Sequence, residues 1–255
     1  MANIYFFGDN HGNFRHIVDV VVKDRPPAIV LLGDIEAQRP LEEELAPILG
    51  KTAIRFLHGN HDSDSQENWN HLFLSKLSHC NLHGRVENIA GVRIAGLGGV
   101  FRGKIWYPPA APTFESFQDY RESLDLKHRT RDRSAIGDTQ QQYAIREGQE
   151  RQHTTTIFPD VYERLLYERA DVLVTHEAPS CHPNGFKEID ELAQALGVRA
   201  VFHGHHHDRL DYRAAWRRIG FEAHGVGFCG CTDLFGGVVL PGNMDEARMT
   251  RQIKE

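Results

Sequence analysis

The chain has 255 residues, 40% of them hydrophobic and 25% charged, which supplies enough apolar matter for a core and excludes a disordered, collagen-like or low-complexity chain. Twenty-nine Lys and Arg stand against 35 Asp and Glu, a net charge of −6, and this disfavours a broad nucleic-acid-binding surface, which needs a basic excess. Four Cys make no disulfide scaffold, no stretch approaches the roughly 18 apolar residues of a membrane span, and residues 1–9 lack the basic start of a signal peptide, so the expectation is a soluble, cytoplasmic protein with reduced thiols.

Short apolar runs alternate with helix-like stretches along the first two hundred residues. Residues 4–7 read as a buried strand, and residues 14–23 carry Phe14, Ile17, Val18, Val21 and Val22 at helical spacing. A second strand is expected at 28–32, a helix at 41–49, a third strand at 53–57 and a further helix at 66–79. Residues 85–97 suggest a hairpin, with strands at 86–89 and 92–97. Residues 100–156 break the rhythm: three prolines, Pro108, Pro109 and Pro112, precede two amphipathic stretches at 114–126 and 139–151. This segment reads as an insertion or cap on a single domain spanning residues 1–255. The rhythm resumes with a helix at 159–169, a strand at 171–175, a helix at 186–196 and a strand at 199–202. Residues 209–240 look like antiparallel strands that close the fold, and the polar tail 243–255 is expected to fray. Strands alternating with helices imply a largely parallel sheet.

Each polar cluster follows the carboxyl end of an apolar run, where open α/β sheets bind ligands. The clusters are Asp9 and His11; Asp34; Asn60 and His61; His176; and His205 and His207. Sixteen His are an unusual count for this length, and His is the commonest metal ligand. Carboxylate, imidazole and amide without thiolate suit Mn2+, Fe2+ or Zn2+. Six or seven such groups exceed one tetrahedral site and match two cations sharing a carboxylate, a device for displacement at phosphorus. In an extended segment His205 and His207 share a face while His206 points away.

Asp9-Asn10-His11, Gly33-Asp34, Gly59-Asn60-His61-Asp62, His176 and Gly204-His205-His206-His207 together resemble the calcineurin-like metallophosphoesterase superfamily, whose pattern is D-x-H, G-D, G-N-H-[DE], H and G-H-x-H in this order. The resemblance implies an α/β protein with a four-layer α/β/β/α sandwich. It implies one divalent metal ion on Asp9, His11 and His207 and another on Asn60, His176 and His205, with Asp34 shared. His61 would be the catalytic residue facing the substrate, and Asp62 would orient neighbours or support the turn. The implied chemistry is phosphate-ester hydrolysis by a metal-bridging hydroxide, on a small phosphomonoester or phosphodiester such as a nucleotide.

Protein phosphatases of this superfamily carry G-D-x-V-D-R-G at the second motif; here Ala37 and Gln38 stand where its Asp and Arg would be. The phosphate-gripping Arg and the Asp partner of the catalytic His are absent from their usual places, which argues against a dedicated protein phosphatase. Arg39 and Arg102 are the substitutes for the phosphate contact, with Arg102 preferred beside Asn60 and His61 as a substrate-binding residue. Trp106, Tyr107 and the following prolines are either a substrate platform or cap packing. The basic run 127–133 keeps a metal-dependent nuclease as an alternative, and a non-catalytic interaction module on the same fold is the alternative from another class. Cys229-x-Cys231 lacks the second pair of a zinc site. Nothing in the sequence sets the oligomeric state.

Overall fold

Along most strand runs both alternating faces are apolar, so both sides of each sheet must be covered. The computed structural model describes residues 3–132 and 140–248. The first half holds β1 (Ile4–Phe7), α1 (Arg15–Asp24), β2 (Ala28–Leu31), α2 (Leu41–Glu44), β3 (Ala53–Phe56) and α3 (Gln66–Phe73). A hairpin follows, β4 (Arg85–Ile89) and β5 (Val92–Leu97), then α4 (Phe117–Asp132), α5 (Gln140–His153) and α6 (Pro159–Leu166). The chain continues through β6 (Val172–Thr175), α7 (Lys187–Leu196), β7 (Ala200–His203), α8 (Arg213–Ile219), β8 (Glu222–Gly225), β9 (Cys231–Asp233), β10 (Val238–Leu240) and α9 (Asp245–Arg248).

The strands form two five-stranded sheets, ordered β10-β9-β1-β2-β3 and β4-β5-β6-β7-β8. In the first, β1, β2 and β3 run parallel, and β9 lies antiparallel to both its neighbours, β1 and β10. In the second, β5 to β8 are parallel and β4 closes the edge as the antiparallel hairpin arm. Side-chain alternation divides each strand between two cores. Ile4, Phe6 and Val30 meet Ile94, Val174 and Phe202 between the sheets, where the rings of Phe6 and Phe202 stack at 3.9 Å. Phe7, Ile29 and Leu31 point the other way, onto Ile17, Val21, Leu41 and Leu72 of α1–α3. Leu97, Leu173 and Val201 face Leu165, Leu192 and Ile219 of α6–α8. The result is the four-layer α/β/β/α sandwich.

Three expectations are corrected in detail. The helix at 41–49 stops at Glu44 and becomes a 3₁₀ turn at Ala46–Ile48, because Pro47 offers no N–H to an α-helical ladder. The helix at 66–79 ends at Phe73, and a 3₁₀ turn follows at Ser78–Cys80. Residues 209–240 are not all antiparallel: they contain α8 and then β8, which pairs parallel to β7. In the tail, α9 is anchored because Asp245 is buried and accepts from Gly242 N–H and from Arg209; residues 249–255 lie outside the described residues.

Between β5 and β6, α4 packs Tyr120 and Leu124 on Ile105 and Phe158 in a small core of its own. Trp69 of α3 donates to Thr154, and Arg151 to the Ser63 carbonyl, so this segment is tied to the first sheet's loops. Among the described residues no helix is long and apolar enough to cross a membrane.

Candidate metal centre

The parallel strands of both sheets end on the same side, and the polar turns after β1, β2, β3, β6 and β7 converge there. The backbone bends sharply to bring them together. His11, Asp34, His205 and His207 all have positive φ, between 40° and 70°, a conformation that costs a non-glycine residue energy and is kept where function over-determines it. Glycine makes the close approach possible: a Cβ on Gly59 would lie 2.2 Å from Asp34 Oδ1 and 2.5 Å from His176 Cε1.

Asp34 is buried at the centre. On one side its carboxylate forms a compact group with His11 and His207, and on the other with His176 and His205. The Nε2 atoms of His11 and His207 are 3.0 Å apart. His11 Nδ1–H donates to Glu36 at 2.8 Å, which turns its Nε2 lone pair inward. His176 Nδ1–H donates to the Leu32 carbonyl at 2.8 Å, and its Nε2 faces Asn60 Oδ1 at 3.1 Å and Asp34 Oδ1 at 3.3 Å. Asp9 is buried and accepts the His205 N–H through Oδ1. It lies 3.6 Å from His176 Nδ1 but belongs to none of the compact groups.

The donor set fits divalent cations. Asp9 Oδ2, Asp34 Oδ2 and His205 Nδ1 are buried, and among the described residues they have no hydrogen-bond partner. Buried polar atoms are almost always satisfied, and a carboxylate or imidazole lone pair left open in a cluster is what a metal ion would take. The carboxylates dominate the local field, which favours positive charge at this point. Burial opposes a charge on His176, yet Asp34 and Asp9 overcome it and push its pKa upward. Burial also works against the Asp34 carboxylate, but His176 and the His61 N–H hold its pKa well below the ordinary range.

His61 is half-exposed at the rim. Its N–H donates to Asp34 Oδ1, and its Nδ1 meets Asp64 Oδ2 at 2.6 Å. Desolvation pulls its pKa down, but the Asp64 bond and the charges of Asp34, Asp64 and Glu36 raise it overall. Asp62 is a structural knot. It accepts N–H bonds from Ile35, Glu36 and Gly59 at 2.7–2.8 Å and so ties the turn after β2 to the turn after β3.

A calcineurin-like phosphoesterase family model matches residues 2–209. The chain belongs to this family. It is 38% identical over 237 residues to an uncharacterized protein of Haemophilus influenzae, covering 93% of this chain and 96% of that one. A crystal structure of a Thermus thermophilus protein shares the fold with a TM-score of 0.51 at 13% identity, covering 92% of this chain and 95% of that one. As a calcineurin-like phosphoesterase the protein is a metal-dependent phosphoester hydrolase.

Three acidic residues of the site were not singled out by sequence: Glu36, Asp64 and Glu177. Each lies within three positions of a motif residue, and that adjacency was the available signal. Glu177 is buried beside His205 and accepts the Phe101 N–H; burial pushes its pKa up to about 7. Arg102 lines a cavity of about 410 Å³ together with Asn60, Glu177 and His205. Its Nη1 donates to the Thr155 carbonyl and Thr156 Oγ1, both at 2.8 Å, and its Nη2 lies 3.5 Å from the Asn60 carbonyl. Arg39 is instead paired with Glu44 at the surface. Cys229 and Cys231 are buried thiols and join no metal-competent group among the described residues. Of the basic run 127–133, the side chains and residue 133 lie outside the described residues.

Proposed function

We propose that this phosphoesterase binds two divalent cations, Mn2+, Fe2+ or Zn2+, and hydrolyses a small phosphomonoester or phosphodiester. The observation that carries the reading is the position of Asp34, common to two separate metal-competent groups. In this reading His11 and His207 hold one cation, His176, His205 and Asn60 hold the other, and Asp34 serves both. Asp9 completes the first set with its open Oδ2. When bound, the cations supply Lewis acidity, neutralising phosphoryl oxygens and acidifying an attacking water.

The chain's own residues do the rest. His61 holds a proton at the rim, with Nδ1 fixed by Asp64, so Nε2 is the atom that donates to a phosphoryl or leaving oxygen. Arg102 is pinned by two threonines and presents a fixed positive charge at the cavity wall beside Asn60, suited to an anionic substrate. The cavity of about 410 Å³ has the capacity of a small-molecule site, and with the net charge of −6 it supports a small substrate over a nucleic acid.

The test is hydrolysis of mono- and bis-p-nitrophenyl phosphate with added Mn2+, before and after chelation. The proposal expects metal-dependent release of nitrophenol from at least one of them. Turnover that survives complete chelation would contradict it.

A further inference from the structure

We infer that the substrate carries a planar aromatic group on its phosphoester, held by a subsite that the inserted segment builds beside the metal centre. The inference rests on the proposed function and adds the chemical class of the group attached to phosphorus.

The cavity next to Asn60 and His205 has an unusual wall. Beyond Arg102 and Glu177 it is formed by Phe101, Tyr107 and Phe186. Tyr107, Asn184 and Phe186 also line a second cavity of about 540 Å³, whose far side is Pro108, Pro109 and Pro183. The two spaces therefore adjoin at Tyr107, Asn184 and Phe186, which puts an aromatic and proline surface beside the cavity that holds Asn60 and His205. The rings of Tyr107 and Phe186 stand 5.4 Å apart at 81°, and Phe101 lies 4.7 Å from Phe186. Tyr107 and Phe186 meet edge to face, the arrangement aromatic rings prefer, and both line the two cavities, where a third ring could join them. Tyr107 is 53% exposed, so this ring is not used up by core packing.

Chemistry separates the two ends. The phosphate charge belongs at the Arg102, Asn60 and His205 end. The second cavity offers rings, prolines and the Asn184 amide, which suit a flat ring, with the opposite charges of Lys187 and Glu188 beside them. Tyr107 comes from the segment between β5 and β6 and Phe186 from the loop after β6, so the selectivity is added by loops to a site supplied by the two sheets. An aryl group and a nucleobase share this chemistry.

The experiment uses non-hydrolysable phosphonates with the Mn2+-loaded full-length protein, by calorimetry. Wild type is expected to bind phenylphosphonate about tenfold tighter than methylphosphonate, and Tyr107→Ala to collapse that ratio toward one while Tyr107→Phe keeps it. Equal affinity for the two phosphonates in wild type, no binding of either, or an unchanged ratio in Tyr107→Ala overturns the inference. Adenosine 5′-monophosphate and phenyl phosphate, compared as binders and as substrates, separate a nucleobase from a simple aryl group. Preference for phenylphosphonate without turnover of any phosphoester would sink the proposed hydrolysis and leave the aromatic subsite standing.

Discussion

Asp64 Oδ2 lies 2.6 Å from His61 Nδ1, while Ala37 fills the position where the superfamily's protein phosphatases carry an acid. In the proposed function, this carboxylate three residues downstream takes the place of the one absent from the second motif. It fixes the ring and favours its protonated form. Asp64→Asn is therefore expected to lower kcat about tenfold with KM and metal content near wild type, and Asp64→Glu to recover part of the loss. Steady-state kinetics with metal analysis checks this; a wild-type kcat in Asp64→Asn would show that the contact is only a surface bridge. His61→Ala removes the proton donor itself and should cost about 10²–10⁴ in kcat while both cations stay bound. A His61→Ala protein with wild-type turnover would remove His61 from the mechanism.

At the scale of elements, the turns matter as much as the strands. The βαβ rhythm is legible in the sequence because the strand runs are apolar on both faces, and it places Asp9, Asp34, Asn60, His176 and His205 at strand ends. The path from β7 onward was less legible. Short, Gly-rich alternating runs carry no mark that distinguishes parallel from antiparallel pairing, and the seven-residue α8 is too short to show a clear helical period. The supporting acids Glu36, Asp64 and Glu177 were hidden for another reason: an isolated carboxylate beside a motif looks like any solvated surface charge until burial and partners are known. The glycines were visible but their reason was not. Gly59 lies where a Cβ would strike Asp34 and His176, so Gly59→Ala should weaken metal binding by about tenfold or more while the two sheets still fold. Circular dichroism alongside a metal titration tests it, and unchanged affinity would mean the turn shifts at little cost.

Across the whole molecule, several buried or half-buried His away from the cluster are held neutral by desolvation. His83 is an example: its Nδ1 accepts the Gly98 N–H at 3.1 Å, and burial lowers its pKa from 6.5 to about 4. His16 and His153 are lowered similarly by burial. A folded pKa below the unfolded one means the unfolded chain binds more protons between about pH 4 and 6.5. Stability is then fully present above pH 6.5 and is lost as pH falls toward 4, by up to about 3 kcal/mol for His83 alone. Urea unfolding at pH 7 and pH 5 should show a lower midpoint at pH 5. His83→Asn, which keeps an acceptor for Gly98, should reduce the difference while His16 and His153 keep part of it, and an equally steep fall in the variant would show that His83 does not contribute.

If Asp34 joins two metal sites, as proposed, the number of cations the protein holds depends on its carboxylate, and metal stoichiometry reads that number. Mn2+-reconstituted wild type, dialysed and measured by inductively coupled plasma spectrometry, should retain two cations per chain. Asp34→Asn should retain fewer than one and lose nearly all turnover. One cation per chain in wild type, or two in Asp34→Asn, would contradict the account.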